Sequence, residues 1–373
     1  MKMKIAIVTA FWGPAYPTGS GIYAYEVAKR LAEQRNEVHV YTSSVGYFNK
    51  TEYPDNLHVH VLRAYGVIWN MNPVANDLSK LLREDFDIVH VHSYIFFMSN
   101  MAALARVFKN FKYVLHFHGG LNYSEARNFY PWRVWAKENI YDKTLGWFTV
   151  KMADRVLSVA KSDIPIIKKK FGVNAEWIPN AVCTEKFSYS ENDSRVVTYV
   201  GKLEKWKGVE VLIDVFKIIH KELKDVEFMV VGDGSLAEKL RNTNLPIKIM
   251  GHVPHDKMPD IYHKTAVSVL PSFMEGLPTI CMESLACGVP VVATDVGDTK
   301  EVVIDGKTGF LVKPGDAETM ASKAIELLED DDLRKIMGKE GRKHIEENFS
   351  YDVVARNVYE VYELLLEGLS CLK

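Results

Sequence analysis

Residues 267–293 read VSVLPSFMEGLPTICMESLACGVPVVA, and this stretch carries the clearest signal about the fold. Residues 267–270 and 289–293 are runs of apolar and β-branched residues, which are typical of strands buried on both faces. Pro278 suits the first turn of a helix, and Gly288 suits its end. A strand, a helix and a second strand in this order predict a parallel pair joined by a crossover helix.

The same alternation of apolar strands and helical stretches runs through the whole chain. It predicts an α/β fold with parallel sheets that helices cover on both faces. The predicted strands of the first half are 4–9, 37–42, 58–62, 88–92, 113–118, 155–159 and 175–178. Those of the second half are 196–200, 227–231, 247–250, 267–270 and 289–293.

A break in this pattern divides the chain into two domains of similar size. Pro179 and the polar run 188–194 interrupt it, and 373 residues are enough for two domains. We predict a first doubly wound domain over residues 1–182 and a second over 183–350. The last segment, 351–373, has apolar residues at helical spacing and is predicted to be a helix that docks on the rest of the chain.

The composition indicates a globular protein of balanced charge. Hydrophobic residues make up 47% and charged residues 25%, which argues against a disordered or fibrous chain. Lys and Arg number 46 against 48 Asp and Glu, a net charge of −2. The chain as a whole is therefore not a basic nucleic-acid binder.

Four cysteines, at positions 183, 281, 287 and 371, form no C-x-x-C pair and have no histidine cluster beside them along the chain. This spacing argues against a disulfide scaffold and against a structural zinc site.

The apolar start of the chain, up to Trp12, is interpreted as a buried strand rather than a signal peptide. Residues 89–105 are too short and too polar to span a membrane, so we expect a cytoplasmic protein.

In parallel sheets, ligands bind at the loops that follow the strands. The loop after the first strand ends in Gly19-Ser20-Gly21 and leads into a helix, where backbone N–H groups can meet a phosphate. Residues 19–24 match the dinucleotide pattern G-x-G-x-x-A, but no acidic residue ends the following strand. We therefore assign Gly21 to phosphate or substrate contact, and interpret a second match at 232–237 as a tight turn.

Three polar residues after strands are expected to face a ligand. His118 ends a predicted strand and precedes two glycines, and this position is expected to place its imidazole in a cleft. His116 lies two residues earlier on the same strand and is interpreted as a hydrogen-bonded core histidine. Lys202 and Lys207 flank the turn after the strand 196–200. Two ammonium groups beside free backbone N–H groups suit a diphosphate.

The loop after the strand 267–270 holds two glutamates separated by seven residues. Glu275 precedes the predicted helix, and Glu283 lies on that helix among apolar residues. A carboxylate on an apolar helix face is costly unless it is paired or bonded to a ligand. Glu283 is therefore the most informative single residue of the sequence.

Taken in order, these motifs resemble the retaining GT-B glycosyltransferases of glycosyltransferase family 4, also called group 1. The resemblance covers nearly the whole chain, and its most specific block is the motif from Glu275 to Glu283 that runs into residues 286–293. Weaker blocks lie at 18–21, 28–32, His118, 153–159, 178–180 and 201–208. The resemblance implies two Rossmann-like domains that face each other across a cleft, with the C-terminal helix crossing back to the first domain.

The resemblance also implies roles for individual residues. The residues it assigns to donor binding are Gly21, Lys202, Lys207, Val253, Glu275, Thr279 and Glu283, and those it assigns to catalysis are His118 and Glu275. Glu283 would bond the donor ribose, the two lysines would hold the diphosphate, and the backbone near Val253 would frame the base. His118 would contact the transferring sugar. Lys202 stands where the family usually has arginine, and Ser20 where it usually has glycine.

The implied reaction is transfer of a hexosyl group, with retention, from a nucleoside diphosphate sugar to a sugar, glycolipid or small hydroxyl acceptor. We expect no metal and no cofactor, because no carboxylate pair ends a predicted strand and lysines offer the positive charge. Asp330-Asp331-Asp332 matches a metal-binding D-x-D string. It follows a helical run, so it is interpreted as a helix cap.

Other functions stay open at the level of the sequence. The two glycine strings would fit a nicotinamide-dependent oxidoreductase, and the fold would also fit a sugar phosphorylase, a nucleotide-sugar epimerase or a silent sugar-nucleotide binder. The loops 65–73, 93–97 and 119–135 are expected at the acceptor. Residues 129–137 mix aromatic and basic residues, as either a membrane-interfacial helix or a helix packed on its own domain would. The expected partners are a nucleotide sugar and a sugar or lipid-linked acceptor, not nucleic acid, with peripheral membrane contact left open.

Overall fold

The structure, a computed structural model, describes residues 2–13, 18–47, 52–69, 72–75, 78–119, 121 and 131–368. The chain divides into two compact units. The first comprises Met1–Pro179 and Val354–Lys373, and the second comprises Asn180–Val353. The sequence prediction set its boundaries after residues 182 and 350.

The first unit is built on a parallel sheet. Its described strands are β1 (Lys4–Thr9), β2 (Glu37–Ser43), β3 (Leu57–Leu62), β4 (Ala64–Ile68), β5 (Asn72–Ala75), β6 (Ile88–His92), β7 (Lys112–Phe117), β8 (Arg155–Ser158) and β9 (Glu176–Trp177). Seven of them form the sheet in the order β3-β2-β1-β6-β7-β8-β9, and each predicted strand is confirmed to within one residue at either end. The antiparallel hairpin of β4 and β5 was not predicted.

The second unit repeats this plan with a six-stranded parallel sheet. Its strands are β10 (Val196–Val200), β11 (Glu227–Val231), β12 (Ile247–Gly251), β13 (Val267–Leu270), β14 (Val291–Thr294) and β15 (Gly309–Val312), in the order β12-β11-β10-β13-β14-β15. The five predicted strands are confirmed, although β14 begins after Pro290. The prediction missed β15, because four residues that begin with glycine carry too little periodicity to indicate a strand.

Helices connect the strands in both units. In the first unit they are α1 (Gly19–Glu33), α2 (Leu78–Arg83), α3 (Phe97–Phe108), α4 (Pro131–Asn139), α5 (Leu145–Lys151) and α6 (Ile164–Phe171). In the second they are α7 (Val209–Glu222), α8 (Ala237–Arg241), α9 (Met258–Tyr262), α10 (Thr279–Ala286), α11 (Thr299–Val302), α12 (Ala317–Glu329) and α13 (Asp331–Asn348). The last helix, α14 (Tyr351–Leu366), returns to the first unit from Val354 onward. None of the helices in the described ranges combines the length and apolar character needed to cross a bilayer.

The C-terminal helix α14 contacts the first sheet through a buried apolar stripe. Val354, Val358 and Val361 are buried, as their helical spacing predicts. Tyr362 is also fully buried, and its hydroxyl lies 2.5 Å from Nδ1 of His90 on β6. This hydrogen bond joins residues 272 positions apart.

The stretch 267–293 folds as its pattern predicts, into β13, α10 and β14. Gly288 ends the helix with a φ of +82°. Farther along, the side chain of Asp330 accepts a hydrogen bond from the N–H of Leu333 at 2.8 Å, which confirms that this acidic string caps a helix, here α13.

The order of the strands locates the places where ligands bind. In each sheet the chain winds outward in one direction and then in the other, and the reversal falls between β1 and β6 in the first unit and between β10 and β13 in the second. Ligands of doubly wound sheets bind at the carboxyl ends of the strands that flank this reversal. In the second unit, the loops after β10 and β13 are therefore the expected ligand-binding loops.

Candidate functional site

The loops after β10 and β13 are locked together by backbone contacts. Gly208 has a φ of +71°, and a side chain there would collide with the carbonyl oxygen of Pro271. The N–H of Phe273 donates to the carbonyl oxygen of Trp206 at 3.0 Å. Only glycine fits at position 208, because the left-handed backbone and the close approach both exclude a Cβ atom.

These loops bring together Lys207 and Glu275, which the sequence analysis treated as separate candidates. Nζ of Lys207 lies 2.6 Å from Oε1 of Glu275, and the exposed fractions of the two side chains are 14% and 9%. The ammonium group also lies 4.6 Å from the ring centroid of Trp206. A largely buried cation at the carboxyl end of β10 can attract an anion, and its carboxylate partner keeps it paired in the free protein.

Backbone contacts also position the second lysine, Lys202. Its carbonyl oxygen accepts a hydrogen bond from the hydroxyl of Tyr199 at 2.9 Å, while its side chain is exposed. The N–H of Leu203 donates to the carbonyl oxygen of Asp233 at 2.9 Å. A side chain at Gly232 would collide with the carbonyl oxygen of Gly201. The N–H of Ala237 donates to the carbonyl oxygen of Gly234 at 3.2 Å, which confirms that residues 232–237 form a tight turn.

The buried carboxylate of Glu283 is paired within the protein. Its Oε2 accepts a hydrogen bond from the hydroxyl of Tyr262 at 3.1 Å, and its Oε1 lies 3.0 Å from Nε2 of His255. The other ring nitrogen of His255 lies 2.9 Å from Nζ of Lys186. Burial, and then the negative charge of Glu283, raise the pKa of Tyr262 well above its usual value, so the phenol stays protonated and donates to the carboxylate.

Tyr262, His255 and Lys186 are site residues that were not predicted from the sequence. Tyr262 carries no distinguishing signal, because an aromatic residue on a short apolar helix is usually a core residue. The partners of Glu283 come from α9 and from the turn before it, and Lys186, which contacts His255, comes from the start of the second unit. Only folding brings these segments together.

Two further predicted residues flank this carboxylate in the chain. Val253 is half-buried, between β12 and the turn His255–Lys257. Thr279 is exposed and is the first residue of α10, which follows Pro278 without a side-chain cap. The N-terminal amide groups of a helix favour an anion, so this end of α10 suits a phosphate or a carboxylate.

The first unit holds the remaining predicted residues, Gly21 and His118. Gly21 is buried in the first turn of α1, and its N–H donates to Oγ1 of Thr18 at 3.1 Å. His118 is half-buried just beyond β7, and its Nε2 lies 2.8 Å from Nδ1 of His92. The ring of Tyr23, two residues after Gly21, packs edge-on against His118 at 4.9 Å. The predicted phosphate and acceptor loops also include residues 14–17, 70–71, 120 and 122–130, which lie outside the described residues, as does Cys371.

His118 belongs to a group of histidines on one face of the first sheet. Burial, together with the nearby His116 and His92, holds the pKa of His118 well below its usual range. Its imidazole is therefore neutral at pH 7 and can donate one hydrogen bond and accept another. The prediction for His116 is confirmed: the ring is fully buried, and its Nε2 lies 3.2 Å from the carbonyl oxygen of Ile178.

Comparisons with known proteins match the two halves of the chain separately. Residues 17–186 match the family model described as Glycosyltransferase Family 4, and residues 184–344 match the model described as Glycosyl transferases group 1. The N-acetyl-alpha-D-glucosaminyl L-malate synthase of Bacillus anthracis is 25% identical over 97% of this chain and 97% of its own.

Two solved structures have a similar fold. The sucrose-phosphate synthase of Thermosynechococcus elongatus has a TM-score of 0.77 at 20% identity, and the match covers 98% of this chain and 100% of that one. The Anabaena protein HepE, solved in complex with UDP and glucose, has a TM-score of 0.71 at 18% identity over 97% of this chain and 99% of its own.

Proposed function

Because the chain belongs to the group 1, family 4 glycosyltransferases and has the GT-B fold, we propose that it transfers a hexosyl group from a nucleoside diphosphate sugar to a hydroxyl acceptor. The proposed acceptor is a sugar, a glycolipid or a small hydroxyl compound. The observation that carries this proposal is the pairing of Lys207 with Glu275 at the strand reversal of the second sheet. Such a cation is the group that a departing diphosphate needs.

The donor site is proposed in the second unit. Lys207 and Lys202 follow β10, and the uncapped N-terminus of α10 follows β13. These groups offer two ammonium charges and free N–H groups to a diphosphate. Glu283 is proposed to bond the ribose and Val253 to frame the base. Support for a nucleotide donor comes from HepE, a protein of similar fold that was solved with UDP and glucose.

The proposed reaction retains the configuration of the anomeric carbon. The bond between that carbon and the phosphate oxygen breaks, and its electron pair goes to the phosphate. The acceptor hydroxyl attacks from the same face, and its proton passes to the departing phosphate. Lys202 and Lys207 stabilise the negative charge that develops. Glu275 and His118 are proposed to contact the transferring sugar.

We propose that transfer needs no added divalent metal, because the lysines supply the positive charge that Mg²⁺ supplies elsewhere. The protein is assayed after treatment with EDTA, with and without Mg²⁺ or Mn²⁺. Activity that EDTA abolishes and that Mg²⁺ or Mn²⁺ restores would overturn this part of the proposal.

A lipid-linked acceptor at a membrane surface is the second part of the proposal. On α4, Val134 and Lys137 are buried while Trp132 and Trp135 are each about 60% exposed, so one face packs and the other carries two indole rings. Trp147 on α5 is exposed as well. Tryptophan side chains favour the boundary between lipid and water.

The overall proposal is tested by screening UDP-, GDP- and ADP-sugars for thermal stabilisation, and then following the stabilising donor with candidate acceptors by NMR. We expect release of the nucleoside diphosphate and a product with the anomeric configuration of the donor. Three parallel reactions test the alternatives. A reaction with the donor alone tests for an epimerase, one with inorganic phosphate tests for a phosphorylase, and one with NADH tests for an oxidoreductase. An inverted product would overturn retention, and turnover only in one of the parallel reactions would overturn transfer.

A further inference from the structure

Three fully buried histidines lie side by side on one face of the first sheet. His90 and His92 are two residues apart on β6, so both point to the same face. His116 on β7 pairs directly with His92 in the sheet register. All three side chains are completely inaccessible to bulk solvent.

Each of these rings uses one nitrogen in a hydrogen bond. Nδ1 of His90 lies 2.5 Å from the hydroxyl of Tyr362, and Nδ1 of His92 lies 2.8 Å from Nε2 of His118. Nε2 of His116 lies 3.2 Å from the carbonyl oxygen of Ile178. These contacts set the orientation of all three rings.

The second nitrogen of each ring has no such contact. Nε2 of His90, Nε2 of His92 and Nδ1 of His116 are buried without a hydrogen-bond partner among the described residues. Buried polar atoms of this kind are rare in folded proteins and need a cause. One ring nitrogen from each histidine also lies within 4.8 Å of one from each of the others.

We propose that His90, His92 and His116 bind one transition-metal ion, with Zn²⁺ as the best match. Neutral imidazole is a common ligand of Zn²⁺, and a histidine that binds a metal usually engages its other ring nitrogen in a hydrogen bond, as all three do here. Zn–N bonds of about 2.0–2.1 Å hold tetrahedral ligand atoms roughly 3.4 Å apart. The rings therefore close by about 1 Å around the ion, and water fills the fourth position.

The proposed ion has a structural role. It joins β6 to β7, and the hydrogen bond from His90 to Tyr362 extends that connection to α14. The proposal reverses the sequence-based expectation of no structural zinc site, which rested on the spacing of the cysteines. The proposed ion does not involve Lys207 or Glu275, which lie in the second unit. Its ligand His92 is hydrogen-bonded to His118, so zinc content rather than transfer activity is the readout of the tests.

The first experiment measures zinc in the whole chain, expressed without a histidine tag. The protein is stripped with a chelator, mixed with ZnSO₄ and desalted, and its metal content is measured by mass spectrometry. We expect about one zinc ion per chain, with a higher melting temperature than the stripped protein. No retained zinc would overturn the proposal, whatever the transferase assays give.

The second experiment locates the ion. We expect the H92Q and H116Q variants to lose the retained zinc, because an amide is a far weaker ligand. The matched control is H60Q, since His60 belongs to a partly exposed histidine pair with His39 on the neighbouring strands β2 and β3. Loss of zinc in H60Q, or its retention in folded H92Q and H116Q variants, would place the ion elsewhere and overturn the proposal.

If the H92Q and H116Q variants do not fold, a third measurement on the native chain identifies the ligands of the ion. X-ray absorption of the zinc-loaded native chain counts the imidazole ligands directly. We expect about three imidazole nitrogens at roughly 2.0 Å. A spectrum with sulfur ligands, or with a single imidazole, would contradict the assignment.

Discussion

The ammonium group of Lys207 lies 2.6 Å from the carboxylate of Glu275, so the cation at the end of β10 is already paired in the absence of a ligand. A diphosphate that binds to Lys207 must either share the ammonium group with Glu275 or displace the carboxylate of Glu275 from it. The pairing keeps the cation ordered and prevents a buried unpaired charge. It also means that the effect of changing either residue depends on the other.

The Lys207→Ala variant should bind the free nucleoside diphosphate more weakly. A hydrogen bond to a charged group contributes about 1.5–3 kcal/mol, so we expect a roughly tenfold to hundredfold loss of affinity. Calorimetry with the diphosphate measures the affinity of each protein. The matched control is Lys217→Ala, which removes an exposed lysine of the same unit. Equal affinity in the two variants would remove Lys207 from the donor site.

The Glu275→Gln variant should separate binding from transfer. Without the carboxylate, Lys207 is a largely buried cation without its partner. An anion would satisfy that charge, so we expect the affinity for the diphosphate to rise by roughly tenfold or more. The rate of sugar transfer should fall, because Glu275 is proposed to contact the transferring sugar. Weaker diphosphate binding together with normal turnover would contradict both assignments.

The Glu283→Gln variant should raise the KM for the donor and leave kcat nearly unchanged. A bond to the ribose is remote from the reacting carbon, so it stabilises the ground state and the transition state equally. We expect a roughly tenfold to hundredfold rise in KM. Because Glu283 also binds Tyr262 and His255, the Tyr262→Phe variant and the melting temperatures of both variants show how much of the effect is structural.

The His118→Ala variant should lower kcat while donor binding changes little. The imidazole is proposed to lie by the transferring sugar, where charge develops, and such a contact is worth roughly a hundredfold in rate. His58→Ala, at an exposed histidine of β3, is the control for the loss of an imidazole. If His118→Ala raises only KM in a folded protein, its role is donor binding and the assignments of His118 and Glu283 are exchanged.

The double variant Trp132→Ala, Trp135→Ala should bind less to anionic lipid vesicles. Burying part of an indole ring contributes about 1 kcal/mol, so losing two should weaken partitioning roughly thirtyfold. Vesicle flotation measures it. Phe108→Ala, which removes an aromatic ring that is 67% exposed on α3, should bind like the native chain. Equal binding of all three proteins, or none by the native chain, would exclude α4 as the membrane contact.

The sequence alone determined the features that depend on neighbouring residues. The strands and the helix of residues 267–293, the cap at Asp330 and the tight turn at Gly232 follow from periodicity, from side-chain capping and from the freedom of glycine. These forces act within a few residues, so their pattern is visible along the chain.

Tertiary structure decided which functional groups meet. Lys207 and Glu275 are 68 residues apart, His255 and Glu283 are 28 apart, and His90 and Tyr362 are 272 apart. The spacing of residues along the chain carries no information about these pairs, because parallel strands bring distant loops to the same edge of a sheet. The buried histidines show this most clearly: their alternation on two strands is visible in the sequence, but only the pairing of β6 with β7 brings their ring nitrogens together.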